Sequence, residues 1–214
     1  MKKLFTLFGY LCLMGAMVTP LWAQDAEEEP VETESPAAMS VSIPELLKEV
    51  KFVTKVKPKK KAYAYLFLRS HSRCGFCRTI TPQMNAAYKE MKGKGAELIM
   101  LNSDPDTEKA AAWAEESAIE FPMITPETAG VVASAVPGSG SGGTPNITVV
   151  LEDGEKIEGN SGANSCKEIA ANWKELVKEA KRATTAKKAE ARKAAKKKKK
   201  KAKKKKAKSE DIEL

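Results

Sequence analysis

The chain has 214 residues, four cysteines, one histidine and a formal net charge of +9. That length suits one domain with tails. The cysteines are too few for a disulfide-stapled scaffold, and beyond the N-terminus no segment is apolar for long enough to span a membrane.

Lys2 and Lys3 precede an apolar run from Leu4 to Val18, and Ala23 offers a small residue before Gln24. This pattern predicts a secretory signal peptide over 1–23. Cys12 falls inside it, leaving Cys74, Cys77 and Cys166 to a mature chain outside the reducing cytosol. Residues 24–40 carry six acids and no base, with Pro30 and Pro36, and read as a disordered acidic linker. A helix is expected from Ser42, with Ser42 and Glu45 at capping-box spacing and Ile43, Leu46, Leu47, Val50 and Val53 on one face.

Residues 62–68, AYAYLFL, are short and apolar enough for a buried strand. A helix follows from the Cys74-Gly75-Phe76-Cys77 pair to about Met91, stopped by Gly93 and Gly95. Residues 97–101, ELIML, give a second buried strand, and Ser103-Asp104-Pro105 cap a helix to about Ser117. A short strand over 121–125 and a short helix over 127–135 lead to a Gly-Ser loop at 138–143. A strand over 146–151, an Asp153-Gly154 turn and a return over 156–158 make a hairpin. A last helix from about Ser165 turns Ile169, Trp173, Leu176 and Val177 inward. Strands alternating with helices, closed by a hairpin, imply an α/β domain with a mixed sheet.

The charge is concentrated at the end. Residues 41–180 balance 18 basic against 18 acidic side chains, whereas 181–208 hold 17 Lys/Arg and one Glu. Residues 181–214 therefore read as a lysine-rich tail, disordered or partly helical. It suits an anionic surface such as a membrane or cell wall, bound in a salt-sensitive way. An exported protein would not meet nucleic acid as its natural partner.

Two cysteines at the end of a buried strand and the start of a helix carry a specific chemistry. A reactive thiol must ionise, and a helix N-terminus favours the thiolate through its unpaired N–H groups. Cys74 is placed as the nucleophile, and Cys77, a turn further in, as the resolving thiol. Arg73 and Arg78 add positive charge, and His71 could tune the pair electrostatically. The bland alternative is half of a zinc site, for which only Cys166 and His71 would remain as further soft ligands.

The CGFC pair after a buried strand, Pro82 five residues beyond Cys77, and Thr144-Pro145 before the strand 146–151 together resemble the thioredoxin superfamily. The spacing is similar to the TlpA, tryparedoxin and nucleoredoxin branches. The likeness covers roughly 41–180. It implies a thioredoxin-like three-layer sandwich and thiol–disulfide exchange with protein thiols and a redox partner protein, with no bound cofactor. It further implies that Pro145 is cis, that Pro145 and Thr144 shape the substrate groove, and that the protein works in a bacterial periplasm or cell envelope. Three positions depart from the usual pattern. Arg73 replaces a tryptophan, Leu68 a buried acid, and Phe76 a proline, which leaves the redox potential and the direction of electron flow open. The competing reading is a non-catalytic thioredoxin-like module held on anionic surfaces by its tail.

Overall fold

The computed structural model describes residues 42–59, 61–140 and 142–210, with side chains up to Lys199. The expected signal peptide and acidic linker lie outside the described residues. In chain order the elements are α1 (Ile43–Leu46), β1 (Ala64–Ser70), α2 (Gly75–Met91), β2 (Ala96–Asn102), α3 (Thr107–Glu116) and β3 (Met123–Ile124). They continue with α4 (Pro126–Ala135), β4 (Asn146–Leu151), β5 (Lys156–Ser161), α5 (Ala163–Ala171) and α6 (Trp173–Glu210).

The five strands form one sheet in the order β3-β2-β1-β4-β5. β1 pairs in parallel with β2, and β2 with β3, while β1–β4 and β4–β5 are antiparallel. β1 is central and nearly continuous in apolar residues because both its faces are covered. Ala64, Leu66 and Leu68 point into one core with Ile80, Met84, Trp113, Ile169 and Leu176. Tyr65 and Phe67 point into the other with Ile43, Leu47, Val132 and Val136. The α/β three-layer arrangement is the thioredoxin-like fold. Each fully buried aliphatic side chain contributes about 2 kcal/mol of transfer free energy, so two-sided burial of β1 makes it the stable rail from which the site hangs.

Several boundaries differ from expectation. The first helix ends at Leu46 instead of reaching Val53. Residues 51–53 extend and cover the sheet edge: Phe52 bridges Ile124, and Val53 N–H donates to the Met123 carbonyl at 2.8 Å. Edge pairing outweighs helical continuation there, and Val53 consequently packs into the opposite core from Ile43. Ser42 makes no side-chain cap, and the Ile43 N–H instead reaches the Glu152 carbonyl at 2.8 Å. The cap of α3 is Asp106, whose Oδ1 accepts from Lys109 N–H at 2.7 Å. Pro105 biases Asp104 away from helical backbone, so the helix starts later. The last helix is two, divided at Asn172.

α6 continues through the lysine-rich segment to Glu210. Lys187 is paired with both Asp153 and Glu155 of the β4–β5 turn. From Lys188 to Lys199 every residue is exposed. Among the described residues no helix is long and apolar enough to cross a membrane.

Candidate functional site

The site follows from the antiparallel pairing of β1 with β4. Arg69, near the end of β1, sits opposite Asn146, the first residue of β4. The chain leaving β1 therefore meets the chain entering β4, and these two stretches hold Cys74 and Thr144-Pro145. The Thr144–Pro145 peptide is cis. Arg69 also secures the loop before it, donating from Nη1 to the Gly140 and Gly142 carbonyls at 2.8 and 3.2 Å.

Cys74 is the N-cap of α2, in extended backbone conformation. Its Sγ accepts from Cys77 N–H at 3.2 Å and donates to the Thr144 carbonyl at 3.5 Å. The sulfur thus stands among the unpaired amides of a helix start, where negative charge is favoured. Cys74 is half-buried, whereas Cys77 is fully buried one turn inside. Burial pushes the Cys77 thiol up to about 11, helped by its hydrogen bond with Cys74; Ser70 and the His71 backbone draw it partly back. Both cysteines are free thiols. Such an asymmetric pair can attack from the exposed sulfur and hold the second proton in the inner one. Pro82 lies inside α2, where it removes the donor that the Arg78 carbonyl would otherwise receive.

The loop between β1 and Cys74 is tied down by groups that sequence reading placed elsewhere. Asp104, expected at the start of α3, is buried and accepts from Ser72 N–H at 3.0 and 3.1 Å. It also accepts from Ser72 Oγ at 2.6 Å and Asn102 Nδ2 at 2.9 Å. Arg78 donates from Nε to the Ser72 carbonyl at 2.7 Å and grips Glu116 with both terminal nitrogens at 2.8 and 3.1 Å. Its charge, expected beside the sulfurs, is thus matched by a carboxylate that fits the guanidinium fork. Arg73 is exposed at the rim. His71 lends its carbonyl to Cys74 N–H at 3.2 Å, and its Nδ1 is buried without a partner. Phe76 is 70% exposed beside Cys74. Asp104 gave a faint sequence signal: a carboxylate just past a buried strand, two residues after Asn102.

Residues 45–155, just over half the chain, match the model of the AhpC/TSA family. The chain belongs to the AhpC/TSA family. It is accordingly a thioredoxin-superfamily protein, as the motifs suggested. Comparison with curated proteins gives no match. Among solved structures, this AhpC/TSA-family chain is similar to dsbF from MTB, solved in mixed oxidised and reduced forms. That match has 12% identity and a TM-score of 0.50, covering 64% of this chain and 99% of the other. It is also similar to a thiol:disulfide interchange protein from Bacteroides sp., at 17% identity and TM-score 0.45, covering 64% and 79%. StoA from Bacillus subtilis matches at 18% identity and TM-score 0.43, covering 50% and 82%. At these identities the likeness is one of fold.

Proposed function

We propose that this protein is an extracytoplasmic thiol–disulfide oxidoreductase that exchanges disulfides with protein substrates through Cys74 and Cys77. The observation that carries the reading is the placement of Cys74 Sγ: at the N-cap of α2, on the Cys77 N–H, and beside the Thr144 carbonyl. Cys74 attacks a substrate disulfide, or Cys77 releases a mixed disulfide by attacking Cys74. Thr144 and Pro145 form the wall on which an extended substrate segment lies, a short instance of strand addition. The exposed Phe76 ring gives that segment an apolar contact. Arg73 and His71 set the local field at the rim. Electrons pass to or from another dithiol protein.

The expected domain plan is a signal peptide over 1–23, an acidic linker over 24–40, the exchange domain over 41–180 and a basic extension over 181–214. Export to a bacterial periplasm or cell envelope follows from the predicted signal. The exposed, basic stretch of α6 supports a second element of the proposal, attachment to an anionic membrane or cell-wall surface. Between Lys188 and Lys199 it has seven basic residues against one acid, Glu190, and no buried face. Purely electrostatic attachment weakens with salt.

The deciding measurement is the equilibrium reduction potential of the Cys74–Cys77 pair in glutathione buffers, read by alkylation. A value near about −270 mV makes the protein a reductase, and one of about −120 to −180 mV an oxidase or isomerase. Absence of any reversible disulfide sinks the redox reading and leaves the non-catalytic binding module.

A further inference from the structure

Burial separates the three cysteines of the domain into one at the surface and two inside. Cys74 is half-buried, while Cys77 and Cys166 have no exposed surface. Cys77 is the third residue of α2 and Cys166 the fourth of α5. These two helices pack directly on one another, and both thiols belong to the same core cluster.

The start of α5 is also tied to the site. Gly162, with φ of 97°, donates its N–H to the Pro145 carbonyl at 2.8 Å. Its own carbonyl accepts from Cys166 N–H at 3.0 Å. The same loop that touches Cys74 through Thr144 therefore anchors the turn bearing Cys166. A third polar group lies here. Ser70, at the end of β1, is 1% exposed, and its hydroxyl has no hydrogen-bond partner of good geometry. It stands close enough to Cys77 to draw its thiol down, and burial followed by the nearness of Cys77 pushes the Cys166 thiol up to about 12. A buried polar side chain without a partner in a native interior calls for a reason. A sulfur that changes its bonding state beside it supplies one.

We propose that Cys166 is a third redox thiol, and that the Cys74–Cys77 disulfide moves inward to Cys77–Cys166, returning Cys74 as a free thiol. The inference rests on the thiol–disulfide reading of the Cys74–Cys77 pair. The step is an internal exchange. Cys166 gives up its proton and its sulfur attacks Cys77 Sγ. The Cys74–Cys77 bond breaks, and Cys74 leaves as a thiolate and takes up a proton. One disulfide is present before and after, so no outside oxidant is consumed. The result is a chain that keeps an interior disulfide while presenting a reduced, exposed nucleophile. Burial of the attacking Cys166 thiol makes the exchange slow near neutral pH and faster as pH rises.

The test uses the full chain, oxidised in a glutathione buffer, acid-quenched, alkylated and digested with trypsin without reduction. Cys74 and Cys77 fall in one peptide, 74–78, Cys166 in another, 157–167, and Cys12 in a third. A Cys74–Cys77 bond stays within 74–78, and a bond to Cys166 links it to 157–167. The expected result is a linked species with the alkyl group on Cys74, strongly slowed in forming in Cys74→Ser, which lacks the exposed entry thiol, and lost completely in Cys166→Ser. Linkage with the label on Cys77 overturns the proposal. So does a disulfide confined to 74–78 in the wild type, which leaves the redox reading standing. No disulfide on 74–78 at all removes the redox reading itself and the inference with it.

Discussion

Replacing Asp104 with alanine tests whether the nucleophile is held by the loop before it. The carboxylate is buried and takes bonds from Ser72 N–H, Ser72 Oγ and Asn102 Nδ2. Hydrogen bonds to a charged group contribute about 1.5–3 kcal/mol each, and a stranded buried donor costs about as much. Ser72 is only partly buried, so water recovers some of its loss, whereas Asn102 is 1% exposed and recovers little. The balance is a loss of about 3 kcal/mol. With a urea slope of about 2 kcal/mol/M, the unfolding midpoint falls by about 1.5 M. Ser72 also gives its carbonyl to Arg78 and is two residues from Cys74, so the alkylation rate of Cys74 in the folded state should change with it. Asp104→Asn keeps one acceptor oxygen and should recover part of both. An Asp104→Ala variant within about 0.5 kcal/mol of wild type, with unchanged Cys74 reactivity, would refute the positioning argument.

Other consequences are open to direct measurement. Cys74→Ser should abolish disulfide exchange, whereas Cys77→Ser should accumulate mixed disulfides with substrate, visible on non-reducing gels. Glu97 is fully buried, with Oε1 accepting from Tyr88 Oη at 3.3 Å and no hydrogen bond of good geometry to Oε2; burial raises its carboxyl to about 7 from 4.5, partly offset by the nearby Lys59 and Tyr88. Between those values the folded state binds more protons than the unfolded, so stability falls as pH rises, by about 3 kcal/mol in all. Glu97→Gln should flatten that fall in denaturant titrations from pH 4.5 to 7.5, and equal slopes in the two proteins would exclude Glu97 as the cause. Deleting residues 188–214 should remove binding to vesicles rich in anionic lipid and leave exchange rates intact. Full-length binding should weaken steeply between low and high salt.

The sheet was legible because β1, β2 and β4 are short apolar runs punctuated by turn residues, and each lies within two residues of where its pattern placed it. The hairpin was legible from Asp153-Gly154, with Gly154 at φ of 84°. Two kinds of feature were not. Residues 51–53 have helical periodicity yet pair with β3, because an exposed edge is satisfied only by a partner distant in sequence. Residues 159–161, Gly-Asn-Ser, have poor strand propensity yet extend β5, because β4 offers a ladder. Asp104 belongs with these: its role depends on β2 ending beside the loop that follows β1, a neighbourhood that the parallel register creates and local sequence does not announce.

The same contrast bears on the chemistry. Leu68, the residue that departs from the superfamily's buried acid, is buried in the apolar core. The inner thiol therefore has no carboxylate partner of that kind, and Cys77, pushed by burial up to about 11, is ionised in only about one molecule in ten thousand at pH 7. On the proposed exchange reading, attack by Cys77 on a mixed disulfide should speed up as pH rises until another step limits, which stopped-flow release rates across pH would check. Ser70 is the polar side chain that the fold brings to this sulfur in place of an acid. A hydroxyl can donate to a forming thiolate but takes up no proton near neutrality. On the proposed exchange reading, Ser70 can therefore steady the thiolate of Cys77 but cannot take its proton away.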